Sequence, residues 1–477
     1  MKVLFVASEV QPFVKTGGLA DVAYALPKAL QAQGVDVRII MPKYGDISVN
    51  YTSKLTQLAS FGVSVGWRNQ YCGLQYLNYE GLPVYFVDNE YYFKRSGCYG
   101  FYDDGERFAF FCRAVMESVC HMEDFYPDVI HCNDWQTGLI PLYLRDVYYD
   151  RPEFKRAGCM YTIHNLKYQG VFAPSVLEEL LGLNMGYYTD EKLKFHDGIS
   201  FMKAGIVFAD KVTTVSETYA QEIQTSYYGE GLDGLLQEKA FKLYGITNGL
   251  DYTLNNPMKD PHLVQNYSAR SIKRKTANKI ALQNRLGLPE NPDVPVVAMV
   301  TRLVRQKGLD LVTCVMEDIL KMNLQFVILG SGDSEYSDFF EYYASAYPGK
   351  IAAYIGFDEG LASQVYAGSD IFLMPSMFEP CGLSQLISMA YGTIPVVRET
   401  GGLRDTVIAY NEYTGEGNGF SFANFNAHEM LHTLEYAISK YEDKEVWDGI
   451  VSQAMKTKFD WQTQGKRYIA LYKEMCC

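Results

Sequence analysis

The sequence predicts an α/β protein built of two doubly wound domains, and three observations carry that reading. Its 477 residues are too many for one ordinary hydrophobic core. In both halves short apolar strands alternate with helix-length segments, which implies parallel sheets with helices on both faces. The segments that combine glycine, charge and histidine fall at the ends of those strands, where a doubly wound sheet takes its ligand.

In the first half the predicted strands are Val3–Ala7, Val37–Met41, Val84–Val87, Asp128–His131, Gly158–Ile163 and Lys211–Val215, with longer loops breaking the rhythm. The second half is more regular. Strands are predicted at Val296–Val300, Gln325–Leu329, Ile351–Ile355, Ile371–Met374 and Ile394–Val397, with helices at Gly308–Leu320, Tyr336–Ala346, Gly360–Gly368 and Leu383–Tyr391 between them. The change of domain is expected near the turn Gly245–Gly249, which gives domains 1–244 and 245–457. A last helix within 458–477, carrying Trp461, Tyr468, Leu471 and Tyr472, is expected to pack back on the N-terminal domain.

Composition narrows the function classes. With 48% hydrophobic and 21% charged residues the chain reads as an ordinary soluble globular protein. A net charge of -13 argues against nucleic acid and against an anionic membrane as partners, so any phosphate site must be a local positive pocket. No apolar run approaches the roughly 18 residues of a membrane span, and Glu9 interrupts the first apolar stretch too early for a signal peptide. The ten cysteines form no CxxC pair and no disulfide framework, which leads us to expect a reduced, cytoplasmic protein without structural zinc.

The chemistry concentrates in six segments. Lys15, Thr16, Gly17, Gly18, Leu19, Ala20 and Asp21 follow the first strand and open a helix of buried-face spacing. Paired glycines let the backbone approach a ligand, helix-start N–H groups favour an anion, and the lysine adds a mobile positive charge. Arg302 to Gly308 repeat the placement in the second half, Arg302 offering a bidentate fork and Lys307 a point charge. Pro375 to Gln385 follow another strand, with Pro380 fixing the backbone beside Glu379 and Gly382 to Ser384 opening a helix. Such a carboxylate beside cations suits a sugar hydroxyl, or it simply favours a helix dipole. The segments from His131 to Gln136 and from Thr162 to Leu166 occupy strand ends of the first half, and Arg398 to Asp405 supply one more paired-glycine helix start.

In this order the motifs KTGGLADV, HCNDWQTGL, TIHN, TNGLD, TRLVRQKGLD, FEPCGLSQL and TGGLRDTV resemble the bacterial glycogen synthase and plant starch synthase family over nearly the whole chain. The resemblance implies the GT-B fold, two Rossmann-like domains facing a central cleft, and a retaining glucosyltransferase. It implies that Lys15, Gly17 and Gly18 contact the nucleotide sugar, that Arg302 and Lys307 hold its diphosphate, and that Glu379 with the backbone of Cys381 and Gly382 takes the glucosyl unit, with Leu383 and Ser384 also binding substrate. His164 would face the sugar from the opposite domain, with Asp21, Asp134 and Asn248 as supporting polar groups. Phe357 would stack on the base, although it lacks the hydroxyl of the tyrosine common there, and Tyr92, Arg95 and Tyr99 fall on an acceptor-side loop. Many retaining transferases of this fold carry a second glutamate eight positions after the first; here Ile387 stands there, as the synthase family has it, with Gln385 the nearby polar residue.

The implied reaction moves glucose from ADP-glucose to the nonreducing 4-hydroxyl of an α-1,4-glucan, such as glycogen or a maltooligosaccharide. No metal and no cofactor are expected, since two cations and helix starts can stabilise the leaving diphosphate. A front-face route, in which the diphosphate accepts the proton of the incoming hydroxyl, fits the lack of an obvious protein nucleophile. UDP-glucose is the alternative donor. A noncatalytic carbohydrate-binding protein, suggested by 38 tyrosines, is the alternative class. A nicotinamide dehydrogenase is disfavoured because GxGxxG is missing after the first strand, and a P-loop enzyme because GxxxxGK[ST] is missing.

Overall fold

The computed structural model describes residues 1–476. It divides into two compact units, one formed by Met1–Gly249 together with the chain from Trp461 onward, the other by Leu250–Asp460.

The first unit is built on a nine-stranded sheet. Its strands are β1 (Lys2–Val6), β2 (Asp36–Pro42), β3 (Thr56–Val65), β4 (Arg68–Tyr79), β5 (Leu82–Asp88), β6 (Val129–Asn133) and β7 (Gly158–Ile163). A small sheet of β8 (Val171–Phe172), β9 (Lys194–Phe195) and β10 (Gly198–Ser200) follows, before β11 (Lys211–Thr214) and β12 (Leu243–Gly245) return to the large one. The order is β12-β11-β7-β6-β1-β2-β5-β4-β3. Pairing is parallel from β12 to β5 and antiparallel through β4 and β3. The antiparallel β3–β4 hairpin departs from the all-parallel expectation. Its residues are largely exposed or half-buried, so they lack the continuous apolar run that marks a parallel strand.

After β1 the chain winds outward to one side through β2, then returns to place β6 on the other side of β1. The loops leaving β1 and β6 therefore diverge and open a crevice at the carboxyl end of the sheet.

The second unit carries β13 (Val296–Val300), β14 (Gln325–Gly330), β15 (Ile351–Ile355), β16 (Ile371–Met374), β17 (Ile394–Arg398) and β18 (Phe420–Phe422), in the order β15-β14-β13-β16-β17-β18 and parallel throughout. Here the reversal lies between β13 and β16. The helix expected over Gly308–Leu320 is instead two, Leu309–Cys314 and Met316–Lys321, broken at Val315, whose φ of -119° and ψ of 18° are not helical.

The last helix, Trp461–Met475, belongs to the first unit, where Trp461, Tyr468, Leu471 and Tyr472 join the hydrophobic core. Tyr472 also closes a buried polar chain. Its hydroxyl lies 2.7 Å from His131 Nδ1, His131 Nε2 lies 2.6 Å from Thr162 Oγ1, and Thr162 Oγ1 lies 2.6 Å from Thr213 Oγ1. The chain crosses β6, β7 and β11 and ties the helix to the sheet. Burial pushes the His131 imidazole down to about 3, so it stays neutral and shares one proton with each neighbour.

Replacing Tyr472 by Phe keeps the ring but leaves His131 Nδ1 unpartnered in a dry interior, at a cost of about 1–3 kcal/mol. We expect a lower urea midpoint for Tyr472→Phe with an unchanged circular dichroism spectrum; an unaltered midpoint would show that the contact contributes nothing.

Candidate active site

In the second unit the reversal between β13 and β16 sets two loops side by side. The loop after β13 runs through Arg302 to Gly308 and the loop after β16 runs from Pro375 to Gly382. Gly308 makes their contact possible, with a φ of +72° and a position at which a Cβ would sit 1.9 Å from the Pro375 carbonyl oxygen. Met377 N donates to Gln306 O at 2.9 Å, and Gln306 Nε2 donates to Phe378 O at 3.3 Å.

This contact brings Lys307 to Glu379. The Lys307 ammonium lies 2.6 Å from Glu379 Oε2, and the two side chains are only 17% and 9% exposed. Ser376 Oγ donates to the same carboxylate oxygen at 3.1 Å. Removing either partner of so buried a pair strands the other charge, at about 3–5 kcal/mol. Thr301, Lys307, Ser376 and Ser384 line a cavity of about 20 Å³ at these strand ends, room for a single water. Arg302 stands exposed at the entrance to the same loop.

The third loop, after β17, supports the second. Gly401 and Gly402 pack against the carbonyls of Glu379 and Cys381 so closely that a Cβ would lie 2.0 and 2.1 Å from them. Gly402 N donates to Glu379 O at 3.1 Å. The buried Arg398 guanidinium donates to Met377 O at 2.6 Å. Gln385, the polar residue near the missing second glutamate, turns inward: Nε2 donates to Cys381 O at 3.1 Å, Gly382 O at 2.9 Å and Thr406 Oγ1 at 3.2 Å. Leu383 and Ser384 are half-buried at the helix start, and Phe357, on the loop after β15, is 79% exposed.

In the first unit, the loop after β1 is organised by Glu9, a residue that spacing alone did not single out. Its nearly buried carboxylate accepts from Thr16 N and from Thr16 Oγ1, both at 2.6 Å. Burial pushes the Glu9 carboxyl up, while Thr16 and the Gly17 N–H pull it down. Gly17 and Gly18 are exposed at the start of the helix Gly18–Ala32. Lys15 pairs with Asp21 at 2.7 Å across that first turn, so the lysine expected to be mobile is tethered to the aspartate.

His164 follows β7, and its orientation is settled by Asn133 at the end of β6. Asn133 Nδ2 donates to Val6 O at 2.9 Å, which turns Oδ1 toward His164 Nε2, 2.9 Å away. Nε2 therefore carries the proton and Nδ1 keeps a lone pair. Burial holds the imidazole down at about 3, so it is neutral at physiological pH. Asp134, at a φ of 55°, accepts from His164 N at 2.8 Å and Asn165 N at 3.3 Å. Its carboxyl is pushed up to about 7 by burial against the opposing effect of those donors. Asn248 is buried, with Oδ1 making no hydrogen bond.

The acceptor-side expectation needs correction at Tyr92. Its ring is fully buried and its hydroxyl donates to Glu106 at 2.6 Å, so Tyr92 is a core residue with no surface to offer a glucan. Arg95 is held by Asp103 through two contacts of 2.6 and 2.7 Å. The Tyr99 hydroxyl lies 2.7 Å from Ser8 Oγ, beside the loop that leaves β1.

Comparison with known proteins agrees with this architecture. The family model described as the starch synthase catalytic domain matches residues 2–238, and the model for glycosyl transferases group 1 matches residues 282–449. A glycogen synthase of Clostridium acetobutylicum is 54% identical over 473 residues, 99% of each chain. The catalytic domain of starch synthase IV from Arabidopsis thaliana, solved with ADP and acarbose, superposes with a TM-score of 0.93 at 35% identity over 99% of both chains. Sucrose-phosphate synthase from Thermosynechococcus elongatus, at 16% identity and a TM-score of 0.63 over 99% of this chain and 98% of its own, shares the fold. On this match of both units and of full length, the chain belongs to the glycogen and starch synthase family of glucosyltransferases.

Proposed function

We propose that the chain transfers glucose from ADP-glucose to the nonreducing 4-hydroxyl of an α-1,4-glucan, with retention of configuration. The observation that carries this reading is the Lys307–Glu379 pair at the reversal of a parallel sheet. A diphosphate and a glucosyl ring present opposite charges as their bond breaks, and the pair offers a cation for one and a carboxylate for the other. The ADP and acarbose, a glucan analogue, held by the Arabidopsis neighbour support the adenine donor and the glucan acceptor. A cytoplasmic location accords with nine free cysteines among the described residues.

In the ligand-free chain Lys307 is already neutralised by Glu379. An arriving diphosphate draws the ammonium toward itself, with Arg302 as a second cation, and releases the Glu379 carboxylate to the sugar. In the first unit the Gly17 and Gly18 backbone and Lys15 are assigned to the donor. His164 presents the lone pair of Nδ1 to a sugar hydroxyl, a role that requires the neutral ring. The incoming 4-hydroxyl gives its proton to the departing diphosphate oxygen, so no protein base is required in that step.

A donor panel with glycogen as acceptor, scored by nucleoside diphosphate released, tests the reading directly; release from UDP-glucose but not ADP-glucose would overturn the donor assignment. Arg302→Ala should fold with an unchanged melting temperature and lose about 100-fold in turnover, the scale of one preorganised charge. Lys307→Ala should lose as much turnover and stability as well, because it strands Glu379. Near-normal turnover in both variants at saturating donor would remove them from the diphosphate site.

Glu379→Gln keeps size and hydrogen bonding while removing charge, so its loss should fall on kcat, with ADP affinity retained because Lys307 is freed. ADP binding weakened in step with turnover would place Glu379 in the nucleotide pocket.

For His164, proton NMR should show ring shifts that do not move between pH 5 and 8. The sign follows from the lowered value: the neutral ring favours the fold above the ordinary histidine range near 6.5, and that advantage is lost as pH falls toward about 3. A titration centred near 6.5 would contradict the neutral assignment.

A further inference from the structure

We infer that Glu9 is a positioning residue for the nucleotide sugar: from just beyond β1 its carboxylate holds the turn at Thr16 and Gly17 in the shape that the donor meets, and the hold requires the ionised form. The inference rests on the assignment of the Lys15–Gly18 loop to the donor and adds the group that sets that loop. Oε2 takes both Thr16 N and Thr16 Oγ1 at 2.6 Å. Oε1 faces Gly17, where a Cβ would lie 3.7 Å from it, and the Gly17 N–H is a third donor. One buried carboxylate thus gathers three donors from two consecutive residues.

No cation pairs with Glu9 among the described residues. Lys15, the nearest lysine in sequence, is taken by Asp21 at 2.7 Å. The groups that face Glu9 are acidic or neutral: Asp21 on the helix Gly18–Ala32, Tyr44 after β2, Cys98 and Tyr99 on the loop before the helix Asp104–Ser118, and Asp134 after β6. Arg107, which faces Tyr44, is itself paired with Asp104 at 2.5 Å. Burial pushes the Glu9 carboxyl above the ordinary carboxylate range in spite of its three donors, and Asp21 adds to the rise.

The direction of that rise separates a functional carboxylate from a structural one. A raised carboxyl supports the fold while protonated; the support is complete below about pH 4.3 and is lost as pH rises through the raised value. At neutral pH the ionised Glu9 therefore opposes the fold, and what it secures is the loop. Groups kept against stability cluster where ligands bind. With the Thr16 and Gly17 N–H groups turned inward to Glu9, those left to meet an anion belong to the first turn of the helix Gly18–Ala32, whose cap, Gly17, brings no side-chain hydrogen bond. A protonated carboxyl has one good accepting oxygen and one O–H. It would meet either Thr16 or Gly17 donor to donor and release that part of the turn.

Glutamine stands in for the protonated acid, so Glu9→Gln in the full chain should melt at or above the wild-type temperature at neutral pH. Its KM for ADP-glucose and its ADP dissociation constant should rise about tenfold, the scale of one hydrogen bond to a charged group, while KM for glycogen stays at the wild-type level. The wild-type advantage should fade as pH is lowered through the raised Glu9 value; the ratio of the two chains' ADP affinities cancels the titration of the phosphate itself. Thr16→Val, at an exposed position, removes one of the three donors and should move that fading to higher pH. Unchanged ADP affinity in Glu9→Gln, or a ratio independent of pH, overturns the inference. So does a lower melting temperature with equal losses for donor and glycogen, the pattern of a merely structural carboxylate. A wild-type chain that binds UDP but not ADP, with the same pH-dependent ratio measured on UDP, would leave Glu9 in place and overturn the proposed donor instead.

Discussion

Both units depend on one topological constraint, the reversal of winding in a parallel sheet. Between β1 and β6, and again between β13 and β16, adjacent strands send their loops in opposite directions, leaving a gap that no crossover helix fills. The polar groups of the site are affordable there because the gap is open to a ligand. The same Lys307–Glu379 pair inside the sheet would meet a desolvation penalty with nothing to recover it.

Close backbone approach converts that gap into a shaped site. At Gly308, Gly401 and Gly402 a side chain would collide with a carbonyl of the neighbouring loop. These glycines act in packing, holding three loops against one another so that Glu379 has a fixed address. Arg398 and Gln385 serve the same end by satisfying the carbonyls of the loop after β16. Rigid support of this kind is what electrostatic stabilisation of a transition state requires, since groups that must reorganise lose most of their effect.

The first unit solves a different electrostatic problem. Burial holds both His131 and His164 neutral, yet only His164 keeps a nitrogen lone pair without a protein partner. His131 spends both ring nitrogens on the chain from Tyr472 to Thr213 and is structural. Two histidines, one inside β6 and one just after the neighbouring β7, thus diverge in role because of what their nitrogens meet. Glu9, inside the loop that the proposed donor must approach, shows the same economy, its carboxylate consumed by Thr16.

The doubly wound character of the second unit could be read from the sequence, because its inner strands β14, β13, β16 and β17 are short, nearly continuous apolar runs buried on both faces, whereas the edge strand β15 is exposed toward its end. The sequence also marked the strand ends to which the proposed chemistry is assigned, since paired glycines, a lysine and a proline-flanked glutamate stand out against those runs. Tertiary structure alone decided the rest. The β3–β4 hairpin lacks the apolar signature of a buried strand, and the break at Val315 interrupts an amphipathic pattern that runs on without it. Tyr92 and Tyr99 carry the same side chain, but only the packing of each ring distinguishes a core residue from one beside a loop. The pairing of Lys307 with Glu379, and of Lys15 with Asp21, was invisible for the same reason: a charge is legible in one dimension, whereas its partner is fixed by which loops the fold brings together.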